Sequence, residues 1–567
     1  MARPPDPRRR PLARTPVISP VPFAVTDPAL THDLGPIQLI FVTLVFAIGL
    51  TYLARRLRIA DPILLLLGGI GLSQLPDLPD IVLAPDIVFL LFLPPILFGA
   101  AYFTPIRDFR ANLRPILLLA IGLVLFTTAA VAFVVQQLTG MPVAAAVALG
   151  AIVAPPDAVA ATAVFRRLGV PRRIVTILEG ESLLNDASAL IVYRLAVAAA
   201  AGTAAAGTAA MDFSLGNAAV DVVDAVVGFV VVGAGGMAIG AVVGAIITRT
   251  LHRTADPIIE IIITLLAPAS AYLAAEQLHV SGVLATVVAG LMTGQRAARV
   301  LSPDARLMGF GVWQTLIWLI NAFVFMLIGL QLPAILRAVL VDHAPMELLV
   351  LGLAVSATAI VARIVWVYPS TYLPRFLSEK LRARDPYPPA RAVFIVAWAG
   401  MRGVVSLAAA FALPADFPSR DLILFLTFCV IAATLIGQGL TLPWLIRHLG
   451  VLATPGGNGE EVHARLAAVE AALRRLEELK HDYPDHLPLI EQLREQYEHE
   501  AEHVMPSPGK GPDEAEQELL DHRAIRNALL VTQREAVIAL RDAGVINDET
   551  LRAIERDLDL EALRAGV

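Results

Sequence analysis

Up to about Gly450, the chain is mostly long apolar runs separated by a few polar, Gly or Pro residues. A bilayer span needs roughly 17 to 25 apolar residues, with polar or turn-forming breaks between spans. About thirteen runs fit: 36–54, 60–75, 86–102, 115–138, 143–165, 174–200, 218–248, 257–276, 280–295, 310–332, 347–368, 391–413 and 421–446. Pro, Gly and polar residues interrupt the third, fifth and ninth. Beyond Gly450 the pattern changes to stretches such as HARLAAVEAALRRLEELK, with apolar residues at helical three-and-four spacing. The break SPGKGP divides this tail into two helical parts. Residues 1–35 are rich in Pro and Arg and have no apolar h-region before Leu39, so a disordered arm rather than a cleavable signal peptide is expected. The pattern predicts an all-α polytopic membrane protein: an arm (1–35), a transmembrane domain (36–449) and a cytoplasmic helical tail (450–567).

Composition and charge narrow the class. Of 567 residues, 57% are hydrophobic and 17% charged, and the mean hydropathy of +0.69 excludes an ordinary soluble globular domain. The net charge of -6 leaves no nucleic-acid footprint. Cys429 is the single cysteine, so neither a disulfide nor a cysteine metal site can form within one chain. Arginines and lysines collect in alternate loops: Arg55 and Arg56 after the first span, Arg107, Arg110 and Arg114 after the third, Arg166 to Arg173 after the fifth, and Arg375 to Arg391 between the eleventh and twelfth. Positive residues in short loops stay cytoplasmic. A multi-pass protein of a bacterial inner membrane follows, with its amino end outside and its tail in the cytoplasm. The arginine-rich arm runs against that rule.

Charges inside the spans carry the chemistry. Each costs about 2.5 to 3.5 kcal/mol at a span centre unless it has a partner or a task. Five stand out: Asp157 in the fifth span, Glu181 and Asp186 in the sixth, Arg363 in the eleventh and Arg402 in the twelfth. On a helix, Glu181, Ser182, Asn185 and Asp186 fall within an arc of about 140°, so one face presents a polar site. Pro155 and Pro156 cannot donate backbone hydrogen bonds and must break the fifth span just before Asp157, freeing carbonyls for a small cation. Gly400 and Gly403 favour a similar break around Arg402. The two breaks occupy the fifth place of spans 1–6 and the fifth place of spans 8–13, which points to two inverted repeats with a site where broken helices cross.

The segment EGESLLNDASALIVY, with LFLPPILFGAAY, FVFMLIGLQLP and GMRGVVSLAAAFALP, resembles the monovalent cation/proton antiporters of the sodium/proton exchanger type, including the bacterial NhaP-like antiporters. The resemblance covers most of residues 36–449. It implies exchange of Na+, and of Li+ as a second cation, for H+ by alternating access, in pH and sodium homeostasis. It implies a homodimer and no cofactor beyond the transported ions. Asp186 resembles the carboxylate that binds cation or proton in turn, Ser182 a further Na+ ligand, and Asn185 the neutral neighbour associated with electroneutral exchange. Asp157 and Pro156 stand in the ion shell. Glu181 resembles the acid paired with Arg363, and Asp157 the acid paired with Arg402. Two departures matter. Relatives often read Thr-Asp-Pro where this chain has Pro156, Asp157 and Ala158, which removes a threonine ligand; many carry an acid where it has Gly99.

K+/H+ exchange on the same fold is the alternative ion assignment. An intramembrane aspartyl protease built on Asp157 and Asp186 lacks the GxGD-type acid and leaves both arginines unexplained. A transport-dead sensor conflicts with an intact Asp186.

Overall fold

The computed structural model describes residues 35–57, 59–74, 88–200, 218–452, 459–504 and 512–565. The arm expected to be disordered, the loop after the second span, the Ala/Gly/Thr stretch after the sixth and most of SPGKGP lie outside the described residues.

Where they are described, the apolar runs of the sequence fall on helices, some of them in pieces: α1 (Gly35–Leu57), α2 (Asp61–Leu72), α3 (Leu93–Phe103), α4 (Val124–Thr139), α5 (Val143–Val153), α6 (Ala158–Leu168), α7 (Arg172–Ala200), α8 (Ala218–Leu251), α9 (Pro257–Gln277), α10 (Gly282–Val300), α11 (Pro303–Val339), α12 (Pro345–Leu377), α13 (Ala390–Trp398), α14 (Val404–Phe411), α15 (Arg420–Ala432) and α16 (Gly439–Leu449). Eight of these helical stretches are long and apolar enough to cross a membrane on that criterion alone, and α2 and α3 are shorter apolar helices. The described residues contain no strand, as a bilayer requires of a chain that does not close a barrel.

Residues Met1–Ala453 and Thr454–Val567 form two compact units. Within the first, the spans pack as two bundles. In one, α8 lies along α9 and α10, α10 along α3, and α11 along α1 and α2. In the other, α5 packs on α4 and α7, while α12 packs on α4, α13 and α15. Close approach in the first bundle depends on small residues, because hydrocarbon offers no hydrophobic drive between helices. A Cβ on Gly240 of α8 would stand 2.8 Å from the Cα of Ala285 of α10. Glu260, a charge in the eighth span, is 1% exposed and accepts Ser302 N–H at 2.8 Å and Ser302 O–H at 3.0 Å. Ser302 in turn caps α11 through Ala305 N–H, so this acid is a structural one.

The arginines that indicate topology also build a clasp. Asp385, between α12 and α13, accepts from Arg114 at 2.9 Å, Arg173 at 2.8 Å and Arg375 at 2.7 Å, and Arg173 donates to Asn112 Oδ1 at 3.0 Å. Burial raises the Asp385 carboxyl, but the Arg173 hydrogen bond and the charges of Arg173, Arg375 and Arg114 outweigh it and hold it below the usual carboxylate range. The clasp's contribution to stability is therefore fully present above the unfolded-state pKa and is lost as pH falls through the lower folded one.

In the second unit, α17 (Gly459–Asp482) pairs with α18 (Leu487–Val504), burying Val469, Leu476 and Ile490. α19 (Pro512–Asp542) pairs with α20 (Asp548–Ala565), burying Leu530, Leu551 and Leu558.

Candidate functional site: two broken helices crossing beside Asp186

Both expected breaks are present. Residues 154–157 separate α5 from α6, and 399–403 separate α13 from α14. The two extended segments touch through one backbone hydrogen bond, Asp157 N–H to Met401 O at 2.6 Å. Four helix ends therefore converge, leaving unpaired carbonyls at the ends of α5 and α13 and unpaired N–H groups at the starts of α6 and α14.

Charged side chains close these ends. Arg402, 1% exposed, donates Nε to Val153 O at 3.0 Å, Nη1 to Gly400 O and Nη2 to Ala359 O at 3.4 Å. Its guanidinium thus sits at the carbonyl ends of α5 and α13, the negative ends of both half-helix dipoles. Asp157 is the N-cap of α6, accepting Val159 N–H at 2.8 Å. Its carboxylate also lies against Gly403, the N-cap of α14.

This geometry corrects one expectation. Among the described residues Arg402 makes no ion pair with Asp157. Each charge is met by helix ends of opposite sign, so neither needs the other as a direct partner. The second expected pair is made: Arg363 donates Nη1 to Glu181 Oε1 and Nη2 to Glu181 Oε2 at 2.9 Å, with both side chains at or below 1% exposure. Arg363 also donates Nε and Nη2 to Val396 O at 3.3 and 3.1 Å, closing another carbonyl in the last turn of α13. It does not reach for the interface as a snorkelling arginine would.

The polar face of α7 meets the break before α6. Ser182 Oγ accepts Ala158 N–H at 3.3 Å, and Asn185 donates Nδ2 to Pro156 O at 2.9 Å. The Oδ1 of Asn185 is buried and takes no hydrogen bond. Asp186 is 6% exposed, and its carboxylate takes no hydrogen bond from a described residue. A buried acceptor without a donor is rare in native proteins and needs an occupant or a task. Here that acceptor is the amide oxygen of Asn185, and the next residue on the same helix is Asp186, whose carboxylate no described residue hydrogen-bonds.

Sequence reasoning missed the backbone and hydroxyl partners. The π-helical turn Ala433–Gln438 carries Thr434, whose Oγ1 accepts Arg402 N–H at 3.1 Å. A second π turn, Leu118–Leu123, contains the Ala120 carbonyl, which accepts Ser188 O–H at 2.6 Å. Such turns recur at functional sites, and an apolar run gives no sign of them. The place expected for an acid at Gly99 is filled by packing: a Cβ there would meet the side chain of Ile317, with Trp313 Cε3 at 3.5 Å.

A cavity of about 1180 Å³ opens between the bundles. Arg55, Arg167 and Arg447, each in the last turn of its helix, line it together with Val159, two residues past Asp157, and Phe325.

Gly403 offers a direct check. A side chain there would collide with the carboxylate of Asp157. Gly403→Ala is expected to lower stability by roughly 1 to 3 kcal/mol, the usual range for overpacking, and to reduce transport. A melting temperature and flux equal to those of the parent would show that Asp157 does not occupy this position.

An all-α polytopic membrane protein, with two broken helices crossing beside a buried, unpaired carboxylate, has the architecture of a secondary transporter. The family described as "Sodium/hydrogen exchanger, transmembrane" matches residues 40–448, and the chain belongs to it. An uncharacterized Na(+)/H(+) exchanger of Mycobacterium bovis is 34% identical over 93% of this chain and 95% of its own. The "Sodium, potassium, lithium and rubidium/H(+) antiporter" of Bacillus subtilis is 32% identical over 72% of this chain and 61% of its own. Among solved structures, the sodium proton antiporter MjNhaP1 from Methanocaldococcus jannaschii superposes with a TM-score of 0.58 over 74% of this chain and 99% of its own, at 19% identity. That last likeness bears on the fold alone.

Proposed function

We propose that the chain exchanges Na+, with Li+ as a second cation, for H+ in a one-for-one, electroneutral cycle, and that Asp186 is the group that carries both. The observation that carries this reading is the largely buried Asp186, whose carboxylate no described residue hydrogen-bonds, next to Asn185 with its buried, unpaired Oδ1. Charge counting supports it. Glu181 and Arg363 cancel, Arg402 and Asp157 sum to zero, and one negative charge remains on Asp186. Either a proton or a sodium ion restores neutrality in a medium where net charge is expensive, so the two compete. Ser182, Asn185 and the carbonyls of the broken segment complete the ion's shell, with Pro156 O shared with Asn185 Nδ2.

The arginine-rich ends of α1, α6 and α16 support a cytoplasmic mouth for the cavity and a cytoplasmic carboxyl tail in the bacterial inner membrane. The family resemblance supports a homodimer. The printed name of the Bacillus subtilis relative includes potassium and rubidium, which keeps K+/H+ exchange as the second reading.

The test is dequenching of a pH-sensitive dye in proteoliposomes on adding Na+, Li+ and K+ in turn. Dequenching by Na+ and Li+, unaffected by a permeant ion that clamps the membrane potential, is the expected result. A response to K+ alone would favour the second reading, and no response to any of the three would overturn both.

A further inference from the structure

We propose that Arg194 and Glu276 are positioning residues for the exchange, forming a latch that holds the site-bearing helix in the arrangement whose cavity opens at the Arg55, Arg167 and Arg447 end. This rests on the transport reading above and adds residues to it. Arg194 lies eight residues beyond Asp186 on α7, in the second bundle, and Glu276 lies in the last turn of α9, in the first. Their Nη2 and Oε1 atoms are 2.6 Å apart.

Position makes this pair more than surface decoration. The cavity separates α1, α2 and α11 of one bundle from α6 and α16 of the other. The helix order places the latch at the opposite end. α7 starts at Arg172, four residues past the Arg167-bearing end of α6 that lines the cavity, and runs away from it to Arg194. α9 follows the arginine-bearing end of α8 and runs in the same direction to Glu276. The start of α10 packs close to the glutamate: a Cβ on Gly282 would stand 3.0 Å from its Oε1 and 2.7 Å from the ring of Tyr272, which is 7% exposed. Alternating access requires the bundles to shift until the cavity closes and the latch end opens, and that shift must separate Arg194 from Glu276. An interaction made in one state and absent in the other biases the equilibrium between them by its own free energy. At 44% and 30% side-chain exposure, the pair is of the solvent-screened kind, which limits the bias to about twofold to fivefold.

The test uses full-length protein with Cys429→Ser and a reporter, Ala163→Cys, on the cavity wall. The rate of labelling by a membrane-impermeant maleimide reports the fraction of molecules with this cavity open. Glu276→Gln and, independently, Arg194→Gln are expected to slow labelling, corresponding to a fall of about twofold to fivefold in the open-to-closed ratio. The charge swap Arg194→Glu with Glu276→Arg is expected to restore it. In proteoliposomes the KM for sodium on the latch side should fall in the neutralised variants while the maximal rate changes little. A merely structural pair would leave labelling at the far end unmoved. Parental labelling rates in both neutralised variants, or a swap no better than either, would overturn the latch. Wild-type protein that labels normally but transports nothing would overturn the exchange reading and leave the labelling rates to decide the latch.

Discussion

Asp186→Asn is expected to reduce sodium-driven proton flux to background while leaving the protein inserted, folded and at least as heat-stable as the parent. The amide cannot release a proton and brings no charge to the ion, so both halves of the cycle stop. Stability should not suffer, because the Asp186 carboxylate takes no hydrogen bond from a described residue and the substitution removes an uncompensated charge from a buried position. The measurement pairs dye dequenching in proteoliposomes with a melting curve in detergent. Flux that persists in a folded variant would move the carrier role to another residue. A melting temperature that drops sharply would show that Asp186 holds the fold instead.

The largest loss of stability is expected from Arg363→Ala. The arginine is fully buried, holds both oxygens of Glu181 and closes the Val396 carbonyl. Its removal leaves an unpaired buried carboxylate and an unpaired carbonyl, and breaking such a pair costs on the order of 3 to 5 kcal/mol. Replacing both partners, as Arg363→Met with Glu181→Leu, should recover much of the loss, since an apolar pair of similar volume is often neutral relative to a buried ion pair. Thermal melting of the parent, the two single variants and the double variant checks this; additive losses would show that the residues are not coupled. Arg402→Ala should behave differently. Its guanidinium is held by the carbonyls of Val153, Gly400 and Ala359 rather than by Asp157, so adding Asp157→Ala should give no rescue.

Most of the fold was legible in the chain because burial in a bilayer is a one-dimensional signal. A span must be apolar along its whole length and must satisfy its own backbone, so runs such as 115–138 and 347–368 announce helices without reference to anything distant in sequence. The breaks were legible for a related reason. Pro155 and Pro156 have no N–H to give, and Gly400 and Gly403 weaken a helix wherever they fall, so the interruptions at 154–157 and 399–403 follow from local chemistry. The arc of Glu181, Ser182, Asn185 and Asp186 is likewise a property of one helix.

Which charge meets which partner was not legible, because it depends on how helix ends are brought together. The family resemblance pairs Asp157 with Arg402. In three dimensions the broken segments cross, presenting carbonyl ends to the arginine and the start of α6 and Gly403 to the acid. The Arg194–Glu276 contact spans 82 positions and the three arginines on Asp385 come from separate helices, so no local pattern marks either. By itself the sequence determined the class, the helices and their breaks, and placed Glu181, Ser182, Asn185 and Asp186 on one helix face, since each follows from the properties of a short stretch of chain. Only the tertiary structure decided the partners of the buried charges, the residues that line the cavity and the contact between Arg194 and Glu276, because a dipole or a guanidinium is compensated by whatever lies within a few ångströms of it, however distant in sequence.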